Sequence, residues 1–183
     1  EGAGESATVE YVGEGRDEQS LEAFWQGLDE TRRAAIEAVA MDLWQAYQNS
    51  VRAHLPEAEQ KIVHDRFHLM QHMVEAVDKV RKQEHRELLQ EGFDLLTGTK
   101  YWWLYGRENL PPQHRAEFAI VRGANLKVGR AWSIKETLRR LWDYRYLSAA
   151  EKFFGRWYGW AVRSRLEPVK KVARMFKRHL KNI

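Results

Sequence analysis

Two aspartates, Asp42 and Asp65, each close a short apolar run that is followed by helix-like sequence. Ala38 to Met41 and Lys61 to Val63 read as short buried strands. In an open α/β sheet, ligands and catalytic groups gather just beyond the carboxyl ends of strands. Paired carboxylates in that position form the oxygen-rich environment that Mg²⁺ or Mn²⁺ prefers. With two such ions about 4 Å apart, one activates a nucleophilic water or hydroxyl and the other stabilises the leaving oxygen. The structural alternative is that each Asp simply caps the next helix, the commoner role for an Asp after a strand.

A second group is His64, His68 and His72, spaced by four. On one helix these would share a face and could hold zinc, as in a zinc-dependent hydrolase. Ile62-Val63 immediately before them argues for a strand reaching at least His64, which breaks that face, and no fourth ligand stands out. A third group is the aromatic and basic run Phe153-Phe-Gly-Arg156-Trp157-Tyr-Gly-Trp160. Arg beside Trp can support stacking on nucleic-acid bases, but large aromatics at helical spacing are more often core. The surrounding cations Arg156, Arg163, Arg165, Lys170, Lys171, Arg174, Lys177 and Arg178 are the better candidates for phosphate contact.

Residues 1–7 read as a flexible start, and Thr8 to Val12 alternates like a strand. Helices are expected over Asp17 to Gly27, with Leu21, Phe24 and Trp25 inward, and over Asp29 to Arg33. The strand ending at Met41 leads into a helix from about Leu43 to Ala53, with Trp44, Tyr47 and Val51 at helical spacing and Pro56 as its breaker. After Asp65 a long helix is expected from Phe67 to Glu91. Tyr101 to Tyr105 is too apolar for a free loop. Helices are expected again over about 113–122, 124–146, 148–164 and 167–181. The fold class is therefore α+β and predominantly helical, with a small α/β piece followed by an all-helical block.

The 183-residue chain has eight tryptophans, enough for a real core, and 31% charged residues. Without cysteine there is neither a disulfide framework nor a thiolate metal site, which suits a reducing cytoplasm. No apolar run approaches the roughly 18 residues of a membrane span, and the acidic N-terminus is unlike a signal peptide. The net charge of +4 hides an asymmetry. Glu1 to Glu30 holds nine acids and one base, whereas Lys152 to Ile183 holds ten bases and one acid. A segment that basic on periodic helical sequence suits a phosphate-contacting surface or a solvated helix face. The acidic N-terminal part makes a membrane-lying helix the lesser option.

The runs Ala38-Val-Ala-Met-Asp42-Leu-Trp-Gln-Ala-Tyr47, Asp65-Arg-Phe-His68-Leu-Met-Gln-His72, Ala76-Val-Asp-Lys-Val-Arg81 and Ser164-Arg-Leu-Glu-Pro-Val-Lys-Lys-Val-Ala-Arg174 together resemble bacterial insertion-sequence transposases of the ISL-three type. The likeness extends from about Thr8 to Ile183, including Leu104 to Asn109 and Asn125 to Trp132. It implies a DDE catalytic domain with a ribonuclease-H-like fold, in which three carboxylates hold two divalent metals and DNA strands are cleaved and transferred. By the resemblance Asp42 is the second catalytic Asp and a metal ligand. Asp65 and His68 match an Asp-x-x-His motif that supports the site without belonging to the triad, so the pairing of Asp42 with Asp65 as ligands gives way.

The same likeness places the first catalytic Asp upstream and the catalytic Glu downstream of these residues. The chain is then expected to be an internal or truncated piece: a partial ribonuclease-H-like core at 8–66 and a helical insertion with a basic C-terminal helix at 67–183. Such a piece is expected to hold Mg²⁺ or Mn²⁺ poorly, to be inactive alone, and to expose a sheet edge. Its implied partners are transposon-end and target DNA, with no membrane, and homo-oligomerisation of the intact enzyme is left open. The alternative is a non-catalytic DNA- or partner-binding helical module derived from a transposase.

Overall fold

The computed structural model describes residues 8–183, so the expected flexible start lies outside the described residues. The chain forms two compact units, one reaching Asp65 and including Asn182–Ile183, the other running from Arg66 to Lys181.

In the first unit, Asp17 accepts the Ser20 amide at 2.9 Å and opens a 3-10 turn, Gln19–Leu21, that runs into α1, Glu22–Gln26. Asp29 caps α2, Glu30–Ala35, by accepting the Arg32 amide at 2.7 Å. Strand β1 is Val39–Met41, α3 is Gln45–His54, α4 is Ala58–Lys61 and β2 is Ile62–His64. Pro56 lies just beyond α3, and Glu57 takes a left-handed φ of 56° to start α4. The strands pair in parallel, with Val39 opposite Ile62 and Met41 opposite His64.

The core of this unit gathers Trp25, Val51, Leu55, Ala58 and Ile62, flanked by Leu21, Phe24 and Met41. Trp25 donates its indole N–H to Ser50 Oγ at 2.8 Å and stacks on the His54 ring, so its polar edge is satisfied inside the core. Asn182 closes the unit, donating to the carbonyls of Glu59 and Ile62 at 2.9 and 3.0 Å.

Two expectations fail here. Thr8 to Val12 is not a strand: Val9 and Val12 are exposed, and Tyr11 instead rests on Phe24 and donates its hydroxyl to Ser20 O. Alternation without a neighbouring strand leaves the backbone unsatisfied, and a local side-chain anchor wins. Trp44, expected inside the helix from about Leu43 to Ala53, instead precedes α3 as its N-cap, is exposed and donates its indole N–H to Arg16 O at 2.6 Å.

The second unit is helical: α5 Arg66–Gln90, α6 Lys100–Leu104, α7 Arg115–Gly123, α8 Lys127–Leu138, α9 Leu147–Arg163 and α10 Glu167–Arg178. Leu69, Met73, Val77 and Val80 recur every three to four residues along α5 and are fully or nearly fully buried. They pack against α8, α6 and α10. Helix α8 is central, with Val128, Ala131, Trp132, Ile134 and Leu138 all buried. Trp103, Phe118 and Trp132 meet edge to face with centroids 4.9 and 5.2 Å apart, which ties α6 and α7 to α8.

Two buried charges are matched to helix ends. Glu84 of α5 accepts the Lys127 and Val128 amides at 2.6 and 2.7 Å, capping α8 from outside. Lys135 of α8 donates to the carbonyls of Trp103, Leu104 and Tyr105 at 2.7–3.1 Å, satisfying the end of α6. Burial pushes its ammonium below the ordinary lysine range. The single helix expected over 124–146 is shorter: α8 stops at Leu138 and the chain tightens into a 3-10 turn, Arg139–Asp143.

Candidate functional site

The carboxyl ends of the two parallel strands carry the candidate catalytic residues of the first unit. Asp42 follows Met41, and Asp65 follows His64, directly across the ladder. The Asp65 amide donates to Met41 O at 3.1 Å, extending the pairing one residue past the strands. Both aspartates are half-buried. Asp42 Oδ1 accepts the Trp44 amide at 2.6 Å, an Asx turn that leads the chain into α3. Its Oδ2 accepts no hydrogen bond among the described residues.

His64 lies beneath this edge, only 3% exposed. Burial pushes its pKa below the ordinary value of 6.5, against the opposing pull of the Met41 and Asp42 backbone and the Asp42 charge. At neutral pH the imidazole is therefore uncharged. It places a desolvated imidazole beside the two strand-end aspartates.

His68 stands on the first turn of α5, in the second unit, with its ring edge-on to Phe67 at 5.6 Å. His72 follows one turn later, while His64 belongs to β2, so the three histidines do not share a helix. Among the described residues no group of three or more His, Asp or Glu side chains is placed to hold a metal ion. The strand-end carboxylates therefore have the right chemistry for Mg²⁺ or Mn²⁺ but not the number of ligands such an ion takes.

The eight cations predicted to meet phosphate all fall in the second unit. Arg156 and Arg163 are exposed on α9, and Arg165 sits at the α9–α10 junction with a left-handed φ of 62°. On α10, Glu167 pairs with Lys170 at 2.7 Å and Arg174 at 3.3 Å, and Lys177 lies over the Tyr158 ring. Lys171 and Arg178 have no acidic partner among the described residues. Val169, Ala173 and Phe176 are buried on the opposite side, so the cations of α10 form an outward stripe. Of the aromatic run before them, Phe153, Phe154 and Trp157 are core, whereas Trp160 is 37% exposed.

A family model described as transposase, of the ISL3 type, matches residues 3–183. The chain belongs to the ISL3 transposase family. It is 29% identical, over 178 residues, to the transposase for insertion sequence element IS1001 of Bordetella parapertussis, covering 96% of this chain and 43% of that protein. It is 23% identical, over 198 residues, to the transposase for insertion sequence element IS1557 of Mycobacterium tuberculosis, from strains CDC 1551 / Oshkosh and ATCC 25618 / H37Rv. That match covers 96% of this chain and 44% of the relative. The chain thus spans under half the length of these curated transposases. No solved structure matches it.

No helix among the described residues is long and apolar enough to cross a membrane. The sequence reading did not isolate His64 as a buried neutral group beside Asp42. Its alternation with Ile62 on a two-strand sheet was the only available signal.

Proposed function

We propose that this chain is the part of a DDE-type transposase that carries one catalytic carboxylate, Asp42, on a partial ribonuclease-H-like core (8–66). A helical insertion (67–183) follows, whose basic helices hold DNA. The observation that carries this reading is the position of Asp42 at the carboxyl end of β1, beside a parallel neighbour. In the whole transposase Asp42 would help hold Mg²⁺ or Mn²⁺, which would supply nucleophile activation and leaving-group stabilisation. The described residues do not complete a ligand set by themselves, so the contribution of Asp42 is one oriented carboxylate. Asp65 and His68 support the site without joining the carboxylate triad. Transposon-end and target DNA are the partners, met largely through phosphates at the α9 and α10 cations and therefore with little sequence preference.

The reading is tested by Asp42→Asn in the whole transposase. Asparagine keeps the oxygen that accepts the Trp44 amide but removes the negative charge. Strand cleavage should fall by about a thousandfold or more, while binding of transposon-end DNA stays within about twofold. Cleavage at the parent rate would overturn the assignment. It would favour the second reading, a module that acts by binding alone, which the incomplete ligand set among the described residues supports.

A further inference from the structure

Helix α9 carries more aromatic side chains than its packing uses. Phe153, Phe154, Trp157 and Ala161 fill its buried face, yet Trp160 remains partly open. It borders a cleft of about 430 Å³ formed by α9, the end of α8 and the turn Arg139–Asp143. Buried Phe153 and Trp157 make its floor, while Arg140, Tyr144, Arg156 and Trp160, all exposed, make its rim. The volume falls within the roughly 300–1,000 Å³ of small-ligand sites.

The lining is chemically selective. It contains two guanidinium groups and no carboxylate. Neither Arg140 nor Arg156 has an acidic partner among the described residues, so their charge is available to a ligand. The Trp157 indole N–H is committed to Ile134 O at 2.9 Å, and the Tyr144 ring leans on Phe153 with centroids 5.1 Å apart. The Trp160 indole has no hydrogen-bond partner among the described residues. Flat aromatic faces beside unpaired cations are complementary to a ligand that is both planar and anionic.

We propose that this cleft binds one unpaired nucleotide of a DNA strand, its base stacked at Trp160 and Tyr144 and its phosphate held by Arg140 and Arg156. A base inside a duplex has both faces covered, so only a single-stranded, bulged or extruded nucleotide can offer one. The choice of a DNA strand over a free nucleotide rests on the transposase reading. The cleft then distinguishes distorted or opened DNA from intact duplex, a discrimination that phosphate contacts alone do not provide.

Fluorescence anisotropy with the full chain tests this on three labelled probes: a blunt duplex, the same duplex with one unpaired nucleotide, and the single strand. Trp160→Ala should weaken binding of the two unpaired probes by roughly tenfold or more, the worth of one base–aromatic stack, and leave the blunt duplex within about twofold. Trp160→Phe should retain most of the preference, because a stacking face survives. Thermal melting reports whether each variant is folded. An equal loss on all three probes, no loss on the unpaired ones, or no binding of them by the parent chain overturns the proposal. Displacement of the single strand by deoxyadenosine monophosphate at equal affinity overturns the assignment to DNA. These readouts score binding, so they stand or fall separately from cleavage by the Asp42 variant.

Discussion

Asp42 reconciles two roles that sequence reasoning treats as rivals. Its Oδ1 closes an Asx turn on the Trp44 amide while Oδ2 accepts nothing among the described residues. The helix-entry bond therefore leaves one oxygen of the carboxylate open for the ligand role proposed above, and fixes its orientation. The strand-end position of Asp42 was legible because the apolar run Ala38 to Met41 stops abruptly at an acid. The exposure of Trp160 was not, since positions 153, 154, 157, 160 and 161 are all apolar and leave the inward face of α9 undetermined. The role of Glu84 was equally hidden, as its partners lie more than 40 residues away. It supplies both capping acceptors to α8 and is 6% exposed. Glu84→Ala should cost about 2 kcal/mol, because the buried Val128 amide loses its acceptor along with the cap. Glu84→Gln, which keeps one carbonyl acceptor, should cost about half as much. Urea unfolding of the two variants beside the parent measures both, and equal stability of all three would refute the capping role.

Among the elements, helices were read well and the ends of short ones poorly. The stripe Leu69, Met73, Val77 and Val80 located α5 to within a residue or so, because 25 residues of one period leave little ambiguity. The four-residue α4 escaped notice, being only one turn after a proline. Nothing in the composition of 139–146 marks the end of α8, and that break had no signal. Two glycines test how local backbone governs these helices, because the same substitution should have opposite signs. Gly92 ends α5 at a φ of +85°, with its own amide donating to Leu89 O and the Phe93 amide to Leu88 O at 2.8 Å. That is a Schellman closure. Gly92→Ala should destabilise by about 1 kcal/mol, from strain rather than clash, since a Cβ there meets nothing within 4 Å. Gly155 lies inside α9, exposed, with equally open space around a new Cβ. Gly155→Ala should stabilise by about 0.5–1 kcal/mol through helix propensity alone. Paired thermal melts decide it, and shifts of the same sign in both variants would contradict the argument.

At the scale of the whole molecule, the modest net charge conceals two units of opposite sign. The first unit holds 5 Lys or Arg against 14 Asp or Glu, whereas the helical unit holds 25 against 12. By charge alone, a polyanion is attracted to the helical unit and repelled by the first. Within the helical unit the outward stripe of α10 is the densest array, and its Lys171 and Arg178 are not neutralised by neighbours. If this stripe meets DNA phosphates, the logarithm of duplex affinity should fall linearly with the logarithm of salt, by about 0.9 per phosphate neutralised. Replacing Lys171, Arg174 and Arg178 together by Gln should weaken binding to unrelated duplexes alike and make that slope shallower by about 2–3. Arg174 contributes less than the other two where Glu167 already shares its charge. Titrations of the parent and triple variant across a salt series measure both slopes. Duplex affinity that ignores salt, or an unchanged slope in the variant, would remove α10 from the DNA-binding surface and leave the helical charge serving solubility.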